Sequence, residues 1–408
     1  MTESSRRRDS IFQARLRFWT LAGILIGVAI ASLLVLLLTQ TRWGHEQVLG
    51  FTLRSASERL EGTLEIPRLD GNLLAVARLY GVALRGLDGE PFLLADSAFV
   101  EYSLRSVAGD ELVLDNLIFY DPQIFLRQLP GDTLWNYQKI FADTTAPAEP
   151  GTRSPIVLRA ASLVGARILV EMAWEPDEEL SPVEQRTEIA EALTDTSRIL
   201  VREVPGGYLR TMRFTDVDAD LARIVSAPDE LGGISLRVER FSGDVQIFRQ
   251  PVRVQQAEMD LAFRDSQLEF RASEIVLPAS RLTAFGAVVL GEANGPRLDI
   301  TVQGDTVALR DLQWLYPRLP DEGGGSLVLL IESRPEGTLY LARDLRLSAP
   351  GTRLEGSFGV ILNDAVRFVD VNLQADPLRV STVEQMLPTE LPVIGLRIGG
   401  LEIRQPAS

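Results

Sequence analysis

The sequence predicts a mainly β fold, and three observations carry the prediction. From Gly62 onward apolar residues recur at every second position. Short clusters of Gly, Pro, Asp and Asn punctuate these runs. A set of residue pairs recurs at a spacing of 72, which predicts stacked, similar β units.

The chain opens with a different kind of segment. Phe18 to Thr39 is 22 residues without a charge. At about 1.5 Å per residue this spans roughly 33 Å, enough for a bilayer core of about 30 Å. A secretory signal has a shorter apolar run and a small-x-small cleavage site after it. Here the one such pattern, Ala29-Ile30-Ala31, lies inside the run. The segment 18–39 is therefore expected to stay as a transmembrane signal anchor. Arg6, Arg7, Arg8, Arg15 and Arg17 precede it and Arg42 follows. Positive residues stay cytoplasmic, so 1–17 is expected inside and the bulk of the chain outside. Trp19 and Trp43 bracket the run as expected interface anchors.

Composition then narrows the function. Setting aside the six arginines and two acids before Trp43 leaves 35 basic and 54 acidic side chains, a net charge of −19 for residues 43–408. Such a surface repels nucleic acid phosphate, so no nucleic-acid partner is expected. There is no cysteine and one histidine, His45. Disulfides, thiolate metal sites, multi-His zinc sites and a His-based triad are thereby excluded. No phosphate-cradling or metalloprotease motif is present. The expectation is a non-enzyme with no cofactor and no metal.

The exported chain reads in three parts. "HEQVLGFTLRSASERLEG" sets Val48, Thr52, Ala56 and Leu60 at helical spacing, predicting an amphipathic helix over 44–60 that leads a β domain over 43–141. In that domain "DGN" at 70–72, "DGEP" at 88–91, "AGDE" at 108–111, "DP" at 121–122 and "PGD" at 130–132 separate short strands. Residues 142–156 lack apolar period and read as a linker or exposed loop. The remainder, 157–408, is a repeat β region. Within it "LSPVEQRTEIAEAL" predicts a helical insertion over about 181–196, with Ser181 as cap, Pro182 in the first turn and Glu184 closing a capping box. Shorter helical pieces are expected near 218–225, 310–316 and 382–387.

The repeat pairs Leu315 with Leu387, Leu319 with Leu391, Pro320 with Pro392 and Arg281 with Arg353. A weaker third copy is read near 218–236. In "QAEMDLAFRDSQLEFRAS", Met259, Leu261 and Phe263 alternate with Asp260, Ala262 and Arg264, and Leu268 and Phe270 continue the pattern after the turn-like "RDS". Each strand thus has one oily and one wet face. The oily face must be buried by a packed core, a second layer or acyl chains.

One stretch carries a resemblance. It contains Gly71 and Leu73; Asp88, Gly89, Pro91, Leu94 and Ala95; Gly109; Leu117, Pro122, Ile124 and Leu126; and Trp135-Asn136, with the closing Gly131 displaced relative to Asp132. In this order the residues resemble the AsmA-like superfamily of envelope proteins, the AsmA, TamB and YhdP type. The resemblance implies an elongated, curled antiparallel β-sheet, a trough or taco-like shape, behind an inner-membrane anchor. It implies a single-pass protein of the bacterial inner membrane, N-terminus cytoplasmic and C-terminal bulk periplasmic. Its implied partners are the inner membrane, phospholipid, and outer-membrane assembly or envelope proteins. The implied role is to hold or conduct acyl chains toward the outer membrane. A non-catalytic scaffold with a packed interior is the alternative. On the first reading Met259, Leu261, Phe263, Leu268 and Phe270 are the expected lipid contacts.

Overall fold

The computed structural model describes residues 61–382 and residue 385, apart from 72–75, 103–111, 141–155, 177–179, 195–199, 228–232, 248–249, 265–266, 290–296, 316, 363–365 and 380. The expected anchor, Trp19, Trp43, the helix at 44–60 and nearly all of the expected linker lie outside the described residues. Among the described residues no helix is long and apolar enough to cross a membrane.

The described chain is mainly β, and its strands form one 19-stranded sheet. At the N-terminal side β1 (Gly62–Glu65) and β2 (Arg68–Asp70) lie end to end along β3 (Val76–Gly86), which pairs with β4 (Pro91–Tyr102). Next come β5 (Leu112–Tyr120) and β6 (Gln123–Gln128), one line broken at Asp121-Pro122. Beyond the expected linker, β7 (Ile156–Leu158) and β8 (Ala160–Trp174) pair parallel to β5 and β6. The sheet therefore runs without a break across the boundary expected at 142–156.

From there the order is a meander. β10 (Gly207–Ala227) pairs with β8 on one side. On the other it takes β9 (Leu200–Val204) and then β11 (Gly233–Gln246), end to end. β12 (Val252–Arg264), β13 (Gln267–Val276), β14 (Arg281–Val289), β15 (Arg297–Ala308), β16 (Gly324–Arg334), β17 (Gly337–Ala349), β18 (Thr352–Leu362) and β19 (Val366–Ala375) follow, each antiparallel to the one before.

Every ladder from β10–β11 to β18–β19 contains a register shift. A bulge bends its strand and raises the local twist. Asp216, Asp344 and Asp370 adopt positive φ on β10, β17 and β19, a conformation that Asp tolerates better than most residues. Gly165 (φ 66) continues the line on β8, where its N–H donates to Asp218 Oδ1 and a side chain would meet Asp121. The sheet is thus creased across its strands.

The crease curls the sheet toward one face. Tracing cross-strand partners puts Arg210 of β10 and Tyr340 of β17 on the same face, and the two lie within electrostatic reach of each other although six strands stand between theirs in the sheet order. We call this the inner face.

Two short helices flank the sheet. α1 (Asn136–Ile140) is not in the sequence prediction. Its first residue closes an open edge: the Asn136 Oδ1 accepts from the Arg127 N–H at 2.9 Å, and Nδ2 donates to the Phe125 carbonyl at 2.7 Å. A side-chain amide there stands in for a neighbouring strand. α2 (Pro182–Thr194) matches the predicted insertion. Its capping box is formed, with the Ser181 N–H donating to Glu184 Oε2 and the Glu184 N–H to Ser181 Oγ.

The helix expected near 218–225 is instead part of β10. Val217, Ala219 and Leu221 alternate with Asp218 and Asp220, a period of two that pairing on both sides satisfies. The turn expected near 310–316 is a 3-10 turn at Leu309–Leu312, and residues 381–382 are helical.

The repeat has a structural counterpart. Ser280, at the tip between β13 and β14, accepts from the Ala308 N–H through Oγ at 2.9 Å. Its hydroxyl donates to Asp311 Oδ2 at 2.8 Å. Thr352, 72 positions later, accepts from the Arg379 N–H at 3.0 Å. Both hydroxyls are buried. In each unit a segment returning from the sheet is thus fastened to a hairpin tip.

Candidate functional site

The inner face of β11–β19 is the candidate site. Successive partners Leu236, Leu261, Phe270, Gly286, Ile300, Ile331, Tyr340, Val360 and Phe368 form one row across nine strands. A second row runs Val238, Met259, Ala272, Ala284, Val302, Leu329, Ala342 and Phe358 through the same ladders. Directly opposed side chains lie about 4.5–5.5 Å apart, so the second row is continuous apolar surface and the first is interrupted at Gly286.

The structure brings the five sequence-predicted residues together here. Leu261 opposes Phe270, Phe263 opposes Leu268, and Met259 sits on the same face one pair away. All five are half-buried. The far ends of the same strands differ. Val252, Val254, Ala257 and Leu277 are buried, and Trp314, which follows the 3-10 turn, packs on them. One part of the inner face is therefore closed by the chain itself, and the other is a partly open wall.

The outer face of β11–β13 is wet. Arg237 pairs with Asp260 at 3.4 Å, and Arg240 of β11 with Asp220 of β10 at 2.8 Å. Toward β16–β19 the outer face also becomes apolar, with Leu339, Leu341 and Ile361 buried against Leu330 and Val369. An open cleft of about 970 Å³ lies beside this cluster, lined by Arg343, Asp344, Arg346, Glu355 and Asp370 among others. Its alternating charges suit no single ionic ligand.

A buried ionic knot holds the outer face where β6, β8 and β9 meet. Glu171 is 3% exposed. It receives Arg127 Nε at 2.8 Å and Arg202 Nη2 at 2.7 Å, and Arg127 also reaches Glu90 at 2.9 Å. Two cations on one carboxylate satisfy its lone pairs, which a buried charge requires.

Sequence reasoning passed over one residue on the inner face. Arg210 falls in the apolar phase of "YLRTMRF", between Tyr208 and Met212. Its cross-strand neighbours are Met172 and Val201. Trp174 meets Tyr208 edge-on, with ring centroids 5.9 Å apart. The Arg210 Nε is enclosed and has no hydrogen-bond partner. Burial lowers the guanidinium pKa from its ordinary value, with Tyr340 opposing. Burial raises the Tyr340 pKa, with Arg210 opposing. The signal in the sequence was a charge in phase with an oily strand.

Among the described residues no group of His, Cys, Asp and Glu could hold a metal ion. Comparison of the chain with family models, with curated proteins and with solved structures found no match.

Proposed function

We propose that this protein is an inner-membrane-anchored, periplasmic factor of envelope biogenesis. Its inner face holds phospholipid acyl chains and conducts them toward the outer membrane, without catalysis. The observation that supports the reading is the pair of apolar rows that hold Met259, Leu261 and Phe270, with the Phe263–Leu268 pair beside them, all five side chains staying half-buried. An apolar wall of this kind is favourable to cover, at about 25 cal/mol per Å² removed from water. The anchor read at 18–39 and the likeness of the 71–136 stretch to AsmA-like proteins support the same reading from the sequence.

The test is a photoreactive residue at position 263 in the full chain, irradiated in cells, with adducts analysed by mass spectrometry. Phospholipid adducts are expected. The packing of Trp314 on Val252, Val254, Ala257 and Leu277 favours a second reading, a scaffold with a dry interior. That reading predicts adducts to the protein's own inner-face residues and none to lipid.

A further inference from the structure

A cation inside an apolar wall needs a reason. On the outer face Arg127, Arg202, Arg237 and Arg240 each meet a carboxylate. Arg210 lies on the inner face between Met172 and Val201, and its enclosed Nε–H has no acceptor among the described residues. The carboxylate next on this face, Glu203 opposite Tyr208, is exposed and makes no ion pair with Arg210 among the described contacts. An enclosed N–H that lacks an acceptor is costly, and arginine cannot shed its charge to escape. Its electrostatic neighbour is Tyr340, whose hydroxyl could donate or accept but does not accept from the enclosed Nε–H, and so is left able to donate. Tyr340 also belongs to the long apolar row, flanked by Ile331 and Val360. Two donors thus sit where one end of that row meets β10.

We propose that Arg210 and Tyr340 form an anion site within the groove, which receives the oxyanion head of an acyl-chain amphiphile while its tail lies along the row through Ile331 and Ile300. The inference rests on the lipid-holding reading and adds a selectivity to it. The guanidinium fork matches a phosphate or a carboxylate, and the phenol supplies a further hydrogen bond. A phospholipid phosphate and a fatty-acid carboxylate share this chemistry.

The test uses the full chain in mixed micelles, with binding of dioleoylphosphatidic acid, oleate and uncharged diolein measured separately. The wild type is expected to bind dioleoylphosphatidic acid at least tenfold more tightly than diolein. Arg210→Met is expected to remove that preference, a loss of about 10- to 100-fold for the anion, and to leave diolein binding unchanged. Tyr340→Phe is expected to lose a smaller part of the same preference. Oleate binding as tight as phosphatidic acid assigns the site to any oxyanion head, and weak oleate binding assigns it to phosphate. Because Arg210→Met removes an unpaired, enclosed cation, it is expected to melt no lower than the wild type. A lower melting temperature means that Arg210 serves the fold, and overturns the inference. So does a wild type that binds diolein and phosphatidic acid alike, an outcome that leaves the lipid reading standing. Failure to bind diolein and both anions removes the lipid reading together with the inference.

Discussion

Strands β12 and β13 each cross two environments, and the contrast teaches what alternation alone cannot. On one side of the crease Val252, Val254 and Ala257 are buried beneath Leu277 and Trp314. On the other, beyond Met259, which still touches that cluster, Leu261, Phe263 and Phe270 keep the same period and the same chemistry but stay half-buried. What differs lies outside the strands. The 3-10 turn at Leu309–Leu312 and the Trp314 that follows it close the first side, and no described segment plays that part over the second. Whether an apolar face is core or wall is decided by what returns to cover it.

The largest expected effect breaks the comparison outright. Ala257 is 2% exposed, so Ala257→Asp places a carboxylate in the closed part and is expected to cost several kcal/mol, abolishing a cooperative melt. Phe263→Asp on the open wall leaves the new carboxylate in reach of water and is expected to cost only about 1–2 kcal/mol of lost apolar burial. Equal collapse of both variants in thermal melts would erase the distinction between core and wall.

The ionic knot provides a test away from both regions. Glu171→Ala leaves Arg127 and Arg202 without their shared partner and is expected to destabilise by about 3 kcal/mol, the low end of the buried-pair range because Arg202 is half-exposed. Denaturant titration measures this. A photoreactive residue at 263 should give the same adducts in this variant as in the wild type, below the melting temperature.

A subtler variant sharpens the comparison by loosening the lid. Ser280→Ala leaves the Ala308 N–H without its acceptor and the Asp311 carboxylate without the hydroxyl, an expected loss of about 1–3 kcal/mol. The lid carries Trp314, so its emission is expected to shift to the red as the closed part opens. An unchanged spectrum would detach the lid from the hydroxyl.

The smallest effect is pH-dependent and lies in α2. The Ser181 hydroxyl and then the Ser181 N–H hold the Glu184 pKa below its ordinary value. The depressed folded pKa means that the cap's contribution is present above the unfolded value and lost as pH falls through the folded one. Amide protection over 183–186, taken relative to the intrinsic exchange rate at each pH, is expected to fall on acidification through that range, with Glu184→Gln flattening the response.

Much of this was legible in advance, for local reasons. The alternation through Leu261 and Phe270 shows in the residues because a strand's two faces need opposite chemistry. Ser181, Pro182 and Glu184 announce α2 because a helix's first N–H groups need acceptors nearby in sequence. The misreading at 218–225 gave weight to a repeat echo over the alternation of Val217, Ala219 and Leu221, which the flanking β8 and β11 enforce. Beyond local reach lay the meeting of Arg210 with Tyr340. It depends on the summed bend of many bulges, and no single residue encodes that sum. The service of Asn136 to the edge of β6 was hidden similarly, because it requires knowing where β4 stops pairing.

The register shift present in every ladder from β10 to β19 also bears on mechanics. A regular antiparallel ribbon can slide by two residues and keep its oily face inward. Here such a slip would set each bulge against a regular stretch of its neighbour, so the strands are keyed together like links. From β11 on, each strand is keyed only to the one before and the one after it in sequence. A load drawn across the sheet from the β19 end would therefore meet one ladder at a time. The meander would be expected to peel in steps, each releasing about one hairpin arm, and not to give way as a single body.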